Sequence, residues 1–183
     1  DLGDGLRETP LGTGRTVLPS VNFTTGGSSG GYTCVVLDNG EVKCWGRAGA
    51  RIQIGQFEGL GAGQREMGDN LPALNLSTTH TFATQVSVGY LQMCVVLRSP
   101  ATGTSRLKCW GYNGNGGAGA GDVVGAGTIQ WAGAALPFVD LGPSATDNVV
   151  SVSCGYSSTC AVVQLNGVNR LKCFGDNYAG QLG

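Results

Sequence analysis

The chain has 183 residues, of which 41% are hydrophobic, enough for one domain with a real core. Its formal net charge is −1 and no basic block is present, so the composition predicts no nucleic-acid partner. No apolar run is long enough to span a membrane. Glycine contributes 33 residues without a collagen period, a usage typical of short strands joined by tight turns.

The first predicted element is a β-hairpin over residues 33–46. A three-residue loop, Asp38-Asn39-Gly40, with Gly40 in the left-handed region, places Cys34 opposite Cys44. The run that begins at Cys34 is apolar at four successive positions, which is typical of a strand buried on both faces. The same continuous pattern recurs in the two later hairpins.

The second and third hairpins are predicted near residues 93–111 and 159–175. A four-residue loop over residues 100–103 places Cys94 opposite Cys109. In the third hairpin, Asn166-Gly167 predicts a two-residue type I′ loop, which places Cys160 opposite Cys173.

The facing cysteines predict disulfide bonds. Directly opposed residues at a non-hydrogen-bonded position have Cα atoms about 4.5 Å apart, at the short end of disulfide geometry. Three loops of different length restore the same pairing, whereas a one-residue slip would place the two sulfurs on opposite faces. The alternative is a set of reduced cysteines buried in a cytosolic core. The predicted pairs are Cys34–Cys44, Cys94–Cys109 and Cys160–Cys173.

The seventh cysteine, Cys154, is predicted to be a buried small residue, or else the partner of a cysteine outside this chain. Two sequons predict N-glycosylation at Asn22 and Asn75. Disulfides and sequons together predict the secretory pathway and an extracellular or cell-surface protein. Asp1 follows neither an initiator methionine nor a signal peptide, which indicates a processed chain or an internal fragment.

Candidate catalytic and metal-binding residues are few. His80 is the single histidine and has no nucleophile motif nearby, so it is interpreted as a solvated residue. The cysteine spacings do not fit zinc, and Asp69 and Asp122 lack the pattern of a calcium loop. The glycine-rich residues 114–121 are not followed by the lysine of a phosphate loop. The sequence therefore predicts no enzyme, no catalytic residue, no metal and no cofactor.

The hairpins are internal repeats. Their second cysteines lie 65 and 64 residues apart. An aromatic residue follows each of them, Trp45, Trp110 and Phe174, and this periodicity favours packing between repeats over a ligand cage.

The repeat, with the Gly-Asp-Asn-x-x-Gly-Gln-Leu-Gly segment at residues 175–183, resembles the repeats of the regulator of chromosome condensation family. Residues 67–76 look like the family's linker, and residues 149–160 look like its first strand. The cysteine-paired variant is similar to repeats of secreted bacterial and algal proteins. The resemblance covers nearly the whole chain and implies an all-β fold, a seven-bladed β-propeller with four strands per blade.

Three hairpin units correspond to a partial arc of about three blades. Residues 1–183 are therefore predicted to be a single repeat region of a larger propeller, completed by further blades or by a neighbouring subunit. A three-blade arc is expected to expose two apolar sheet faces.

Three functions are compatible with this sequence. The first is a non-enzymatic extracellular structural or binding module with a protein or polysaccharide partner, contacted through the inter-strand loops of residues 46–70 and 111–147. The second is guanine nucleotide exchange with chromatin binding, which the family resemblance implies and which predicts a reduced, nuclear protein with a basic arm. The third is a secreted inhibitor that uses a propeller face, as a β-lactamase-inhibiting propeller of similar sequence does.

Overall fold

A computed structural model describes residue 5 and residues 7–18, 23–26, 31–46, 66–119, 129–130, 133–142 and 148–183. In these parts of the chain the regular structure is ten β-strands and one 3-10 turn, Gly68–Asn70, so the predicted all-β class is confirmed. No helix within these ranges has the length and hydropathy that a membrane crossing needs.

The strands form three antiparallel sheets, one for each repeat. The first sheet contains three strands, the middle sheet four and the third sheet three, each in the order of the chain or its reverse. The strands are β1 Phe23–Gly26, β2 Tyr32–Val36, β3 Val42–Gly46, β4 Phe82–Val88, β5 Gln92–Arg98, β6 Ser105–Tyr112, β7 Ile129–Gln130, β8 Val149–Cys154, β9 Ser158–Leu165 and β10 Val168–Gly175.

The hairpin loops have the lengths that the sequence predicts. In the third hairpin Leu165 pairs with Val168, and Asn166 and Gly167 both have positive φ, 51° and 78°, as a type I′ turn requires. In the first hairpin Gly40 has φ 80°, and a Cβ there would lie 2.5 Å from the ring of Phe82. A side chain at position 40 is therefore excluded both by the backbone and by the next sheet.

Each hairpin places its two cysteines directly opposite each other, and all three predicted disulfides are present. Their Cα separations are 4.2, 4.1 and 4.0 Å along the chain. The first disulfide lies in the core between the first and middle sheets, and the second lies between the middle and third sheets. The third, Cys160–Cys173, lies on the opposite face of the third sheet and is half-buried.

The middle sheet is buried on both faces, as its continuous apolar run predicts. Met93, Val95 and Leu97 face the first sheet, whereas Cys94 and Val96 face the third sheet. Burial on two sides removes the usual alternation of polar and apolar residues, because there is no solvent-facing side. Trp110 packs in the core shared with the first sheet and Phe174 against the core shared with the middle sheet, so both aromatics pack between repeats.

The third sheet differs from this prediction. Ala161 and Val163 are fully buried, but Cys160 and Val162 are half-buried, so the run is covered on one face alone. None of the described residues packs on the other face, where Leu171 is 67% exposed. The sequence predicts an exposed outer face on each of the two end sheets. The third sheet has such an exposed face, but the first sheet does not, because its Leu37 is fully buried.

Lysine side chains connect the linkers to the sheets, a feature that the sequence analysis did not identify. The ammonium of Lys108 is buried and donates to the carbonyls of Leu76 at 2.5 Å and of Gly133 and Ala134 at 3.3 Å. Its nitrogen also lies 4.8 Å from the centre of the Phe138 ring. Linkers before and after the second hairpin are thereby held by one side chain.

The first and third hairpins repeat this arrangement. Lys43 donates to the carbonyls of Leu11 and Gly68, both at 2.9 Å. Lys172 donates to the carbonyl of Leu141 at 2.5 Å, which is its contact with the linker that precedes the third hairpin. Among the described residues Lys172 has no carbonyl partner that corresponds to Gly68 or Gly133.

Candidate binding surface

Two Gly-Tyr turns lie side by side where the middle and third sheets meet. The β4–β5 turn contains Tyr90, and the β8–β9 turn contains Tyr156. The backbone N–H of Tyr90 donates to the carbonyl of Gly155 at 3.1 Å, and that of Leu91 donates to the carbonyl of Tyr156 at 3.2 Å. The two turns therefore belong to one hydrogen-bonded unit, although they come from different repeats.

The two tyrosine rings stack on each other at the surface. Their centroids are 4.4 Å apart with an interplanar angle of 13°. Tyr90 is 38% exposed and Tyr156 is 63% exposed. A stacked aromatic pair contributes about 0.5–1.5 kcal/mol beyond its buried area, so each ring limits the motion of the other.

Buried polar and glycine residues keep the turns at this distance. The amide of Gln92, which is fully buried, donates to the carbonyl of Ser158 at 2.8 Å. A Cβ on Gly89 would lie 2.2 Å from the carbonyl oxygen of Gly155, and one on Gly117 would lie 2.5 Å from that of Ser157. The close approach of these backbones is possible because glycine has no side chain.

A third exposed tyrosine follows on the adjoining segment, residues 176–183. Tyr178 is 97% exposed. The segment is joined to the β8–β9 turn, because the N–H of Asp176 donates to the carbonyl of Ser157 at 3.0 Å. The Asp176 carboxylate in turn accepts from the Gln181 amide at 3.0 Å. Tyr90, Tyr156 and Tyr178 are called the tyrosine surface below.

His80 is packed rather than solvated, which corrects the interpretation from the sequence. It is half-buried before β4, with its Nδ1 3.1 Å from the Thr79 hydroxyl and its Nε2 3.2 Å from the Thr104 hydroxyl. Its ring contacts that of Phe138 edge-on, with centroids 5.0 Å apart. These contacts indicate a structural role for His80, and none of them is with a thiol.

Asp69 caps a neighbouring turn. Its carboxylate accepts from the N–H of Thr13 at 2.8 Å and from the hydroxyl of Thr13 at 2.6 Å, and these bonds lower the pKa of Asp69. Within the described ranges no three His, Cys, Asp or Glu residues are placed to hold a metal ion. Asp122 and residues 120–121 lie outside the described residues.

Cys154, the free cysteine, is half-buried at the end of β8 and packs against the core of the middle and third sheets. Its thiol donates to the carbonyl of Ser87 at 3.4 Å, and the Thr159 hydroxyl lies 3.9 Å from its sulfur. Burial raises the pKa of this thiol to about 11, so the unreactive protonated form dominates at neutral pH.

Of the two predicted glycosylation sites, Asn75 is exposed in the linker before β4, and Asn22 lies outside the described residues. Glycosylation at both remains a prediction. The loops predicted to carry recognition, residues 46–70 and 111–147, are described in part. The tyrosine surface was missed, although a signal exists: Tyr90 and Tyr156 each stand four residues before the first cysteine of a hairpin.

Comparison with known proteins identifies the fold. No protein-family model matches the chain, and no curated protein matches it. Human WBSCR16 superposes with a TM-score of 0.52 at 19% identity, over 94% of this chain and 38% of that one. Yeast RCC1 (Prp20), in a crystal structure with Kap60, gives a TM-score of 0.41 at 13% identity, over 93% of this chain and 44% of that one. The chain thus spans less than half of either structure, and its fold is similar to that of the matched part of WBSCR16.

Proposed function

We propose that the chain is a non-enzymatic, extracellular part of a β-propeller that binds a protein partner through the tyrosine surface, within a larger surface or matrix assembly. The observation that carries this proposal is the stacked, exposed pair of Tyr90 and Tyr156, held by hydrogen bonds between two repeats. Stable aromatic exposure of this kind is typical of interaction sites.

The geometry favours binding because the surface is organised in advance. A tyrosine has two side-chain torsions, and stacking has already restricted them, so binding costs less conformational entropy. Exposed tyrosine also combines an apolar ring with a hydroxyl that can form hydrogen bonds at the edge of an interface.

The compartment is proposed from the cysteines. Three disulfides support an oxidising environment, since reducing conditions in the cytosol and nucleus keep most thiols free. The net charge of −1 does not favour the chromatin-binding alternative, which needs a basic surface. An inhibitor that acts through a propeller face would be a special case of protein binding.

The domain organisation remains part of the proposal. We infer that residues 1–183 are one repeat region, and that further blades or a neighbouring subunit cover the exposed face of the third sheet. Supporting this, Leu171 on β10 is 67% exposed, an unusual value for an apolar strand residue.

The partner can be identified by photo-crosslinking. The chain carrying p-benzoylphenylalanine in place of Tyr156 is applied to cells of its source and irradiated, and adducts are identified by mass spectrometry. Placing the same group at Ala101, exposed in the β5–β6 loop, provides the matched control. We expect a protein captured from position 156 and not from position 101, and lost when Tyr90 is replaced by alanine.

Three results would contradict the proposal. Capture of the same proteins from both positions would remove any role for the tyrosine surface. Sedimentation of the chain with a polysaccharide, unchanged in the Tyr90→Ala/Tyr156→Ala double variant, would assign binding to another surface and partner class. Seven free thiols in peptide maps of the native, unreduced protein would reject the extracellular compartment.

A further inference from the structure

Two linkers of the chain share one nine-residue pattern, Gly-x-x-Leu-Pro-x-(Leu/Val)-(Asn/Asp)-Leu. It occurs at residues 68–76 and again at residues 133–141. Each linker follows a hairpin and leads into the next repeat. Because the two copies are fully described, their contacts define what this pattern binds.

Both linkers add to the edge of the hairpin they leave. The N–H of Leu74 donates to the carbonyl of Val42 at 2.8 Å, and the N–H of Val139 donates to the carbonyl of Leu107 at 2.8 Å. Val42 and Leu107 occupy the same repeat position on β3 and β6, and they are 2% and 0% exposed. A linker segment therefore supplies a backbone hydrogen bond and packs in the same core between two sheets as the apolar residue.

The glycine of the pattern supplies a second contact. Lys43 donates to the carbonyl of Gly68, and Lys108 donates to the carbonyl of Gly133, in each case 25 residues ahead in the chain. The aromatic residue of the second copy, Phe138, lies under the guanidinium of Arg106, with 4.5 Å between Arg106 Cζ and the ring centre. The backbone edge and the lysine form a receptor that both copies share, and the second copy adds the arginine, where the first hairpin has Glu41.

The third hairpin has the same receptor without a described linker on it. Leu171 stands at the position of Val42 and Leu107 but is 67% exposed, and Arg170 stands at the position of Arg106 and is exposed. Lys172 borders a groove of about 430 Å³ that Leu141, Phe174 and the loop of residues 113–119 also line. We call Arg170, Leu171, Lys172 and this groove the β10 edge.

We propose that the β10 edge binds an extended segment with the pattern Gly-x-x-Leu-Pro-x-(Leu/Val)-(Asn/Asp)-Leu, namely the linker of a further repeat unit. Its glycine carbonyl accepts from the Lys172 ammonium in the groove. Its Leu/Val N–H donates to the Leu171 carbonyl, extending the sheet by one short strand. Its leucines cover the exposed face of Leu171, and an aromatic residue after the proline packs under Arg170.

This inference deepens the proposed covering of the third sheet by a further repeat, and it is independent of the tyrosine surface. It rests on two occupied copies of the same receptor within the molecule, on the continuity of the β10 edge with those copies, and on the exposure of Leu171. The occupant is defined by its chemistry, an extended apolar segment that offers a glycine carbonyl and one N–H at fixed spacing.

A synthetic peptide tests the inference directly. The probe is a fluorescein-labelled, C-terminally amidated copy of residues 133–141, titrated with the unreduced chain and followed by fluorescence anisotropy. We expect saturable binding that weakens at least about tenfold when the peptide is N-methylated at its valine, since that change removes the donor to Leu171. The N-methyl comparison uses the unaltered chain and does not depend on the folding of a variant.

Protein variants give the second arm. Lys172→Met should weaken peptide binding at least about tenfold, whereas Arg7→Met, which removes the same charge from an exposed position elsewhere, should leave binding unchanged. The Tyr90→Ala/Tyr156→Ala variant should bind the peptide as the unaltered chain does, which separates this site from the proposed function.

Several results would overturn the inference. These are no binding of the unmodified peptide, equal binding of the N-methylated peptide, or equal binding by Lys172→Met. A dimer in sedimentation experiments that requires Lys172 and resists displacement by the peptide would instead assign the β10 edge to a second copy of the chain.

Discussion

Replacement of Lys108 by methionine tests whether a buried lysine connects two linkers to the middle sheet. Methionine preserves most of the apolar stem and removes the ammonium. The carbonyls of Leu76, Gly133 and Ala134 then lose their donor, and they lie around a side chain that is 1% exposed. A buried carbonyl without a partner is unfavourable, because it has given up its hydrogen bonds with water.

The magnitude follows from the three bonds and the opposing desolvation. A hydrogen bond from a charged donor contributes about 1.5–3 kcal/mol, and the bond from Lys108 to the carbonyl of Leu76 is of this kind. The two bonds at 3.3 Å are slightly longer than the usual range and together contribute about 2 kcal/mol. Burial, with Arg106 nearby, lowers the pKa of Lys108, so part of the gain is offset by desolvation of the charge. We expect a net loss of about 3 kcal/mol.

Urea unfolding of the chain with intact disulfides measures this loss, provided that the m-value stays constant. Lys172→Met is the matched control, because Lys172 is half-buried and donates to the carbonyl of Leu141. It should cost about 1 kcal/mol. A Lys108→Met variant as stable as the unaltered chain, or equal losses for the two variants, would refute the assignment of a linker-binding role to Lys108.

Three further predictions concern the cysteines and one glycine. The pKa of the Cys154 thiol is raised from 9.0 to about 11, so the stabilisation from its buried protonated form is complete below pH 9 and is lost as the pH rises through 11. Cys154→Ala should therefore abolish the decrease in the free energy of unfolding over this pH range, measured by urea unfolding. An unchanged pH profile would contradict this prediction. Replacing Cys94 and Cys109 by alanine should cost more than replacing Cys160 and Cys173, by at least about 1 kcal/mol, because the former pair fills a closed core; equal losses in thermal unfolding would argue against this. Gly117→Ala should destabilise the chain by about 2 kcal/mol or more, since its Cβ would lie 2.5 Å from the Ser157 carbonyl oxygen, and Ala101→Gly in an exposed loop is the control with little effect.

Local pairing could be predicted from the sequence because loop length and side-chain period determine it together. Asn166-Gly167 specifies a two-residue turn, and counting outward from it places Cys160 opposite Cys173. The two other loops have different lengths, yet each yields the same cysteine pairing. An error in one loop length would have shifted the register and placed the two cysteines of that hairpin on opposite faces. The burial of the middle run on both faces follows from its unbroken apolar character.

Contacts between repeats could not be predicted in the same way. The stacking of Tyr90 on Tyr156 depends on the distance between two turns that lie 66 residues apart in the chain. Likewise, nothing in the residues around Lys108 indicates that its ammonium is buried among carbonyls from segments 32 residues before and 25 residues after it. The repeat period identifies such positions as equivalent, but it does not identify their partners.

The linkers and the Gly-Tyr turns both join neighbouring repeats, so the candidate binding surface belongs to a pair of repeats and not to one repeat alone. Each linker binds the lysine of the hairpin it leaves, and its last leucine offers a carbonyl to the lysine of the next, as Leu141 does to Lys172. Stability in such an array is a sum over nearest neighbours. The two Gly-Tyr turns are joined across the same sheet junction, through Gly155 and Tyr156. The junction between the middle and third sheets is therefore held at two places, by the 133–141 linker in its core and by the two turns that carry Tyr90 and Tyr156.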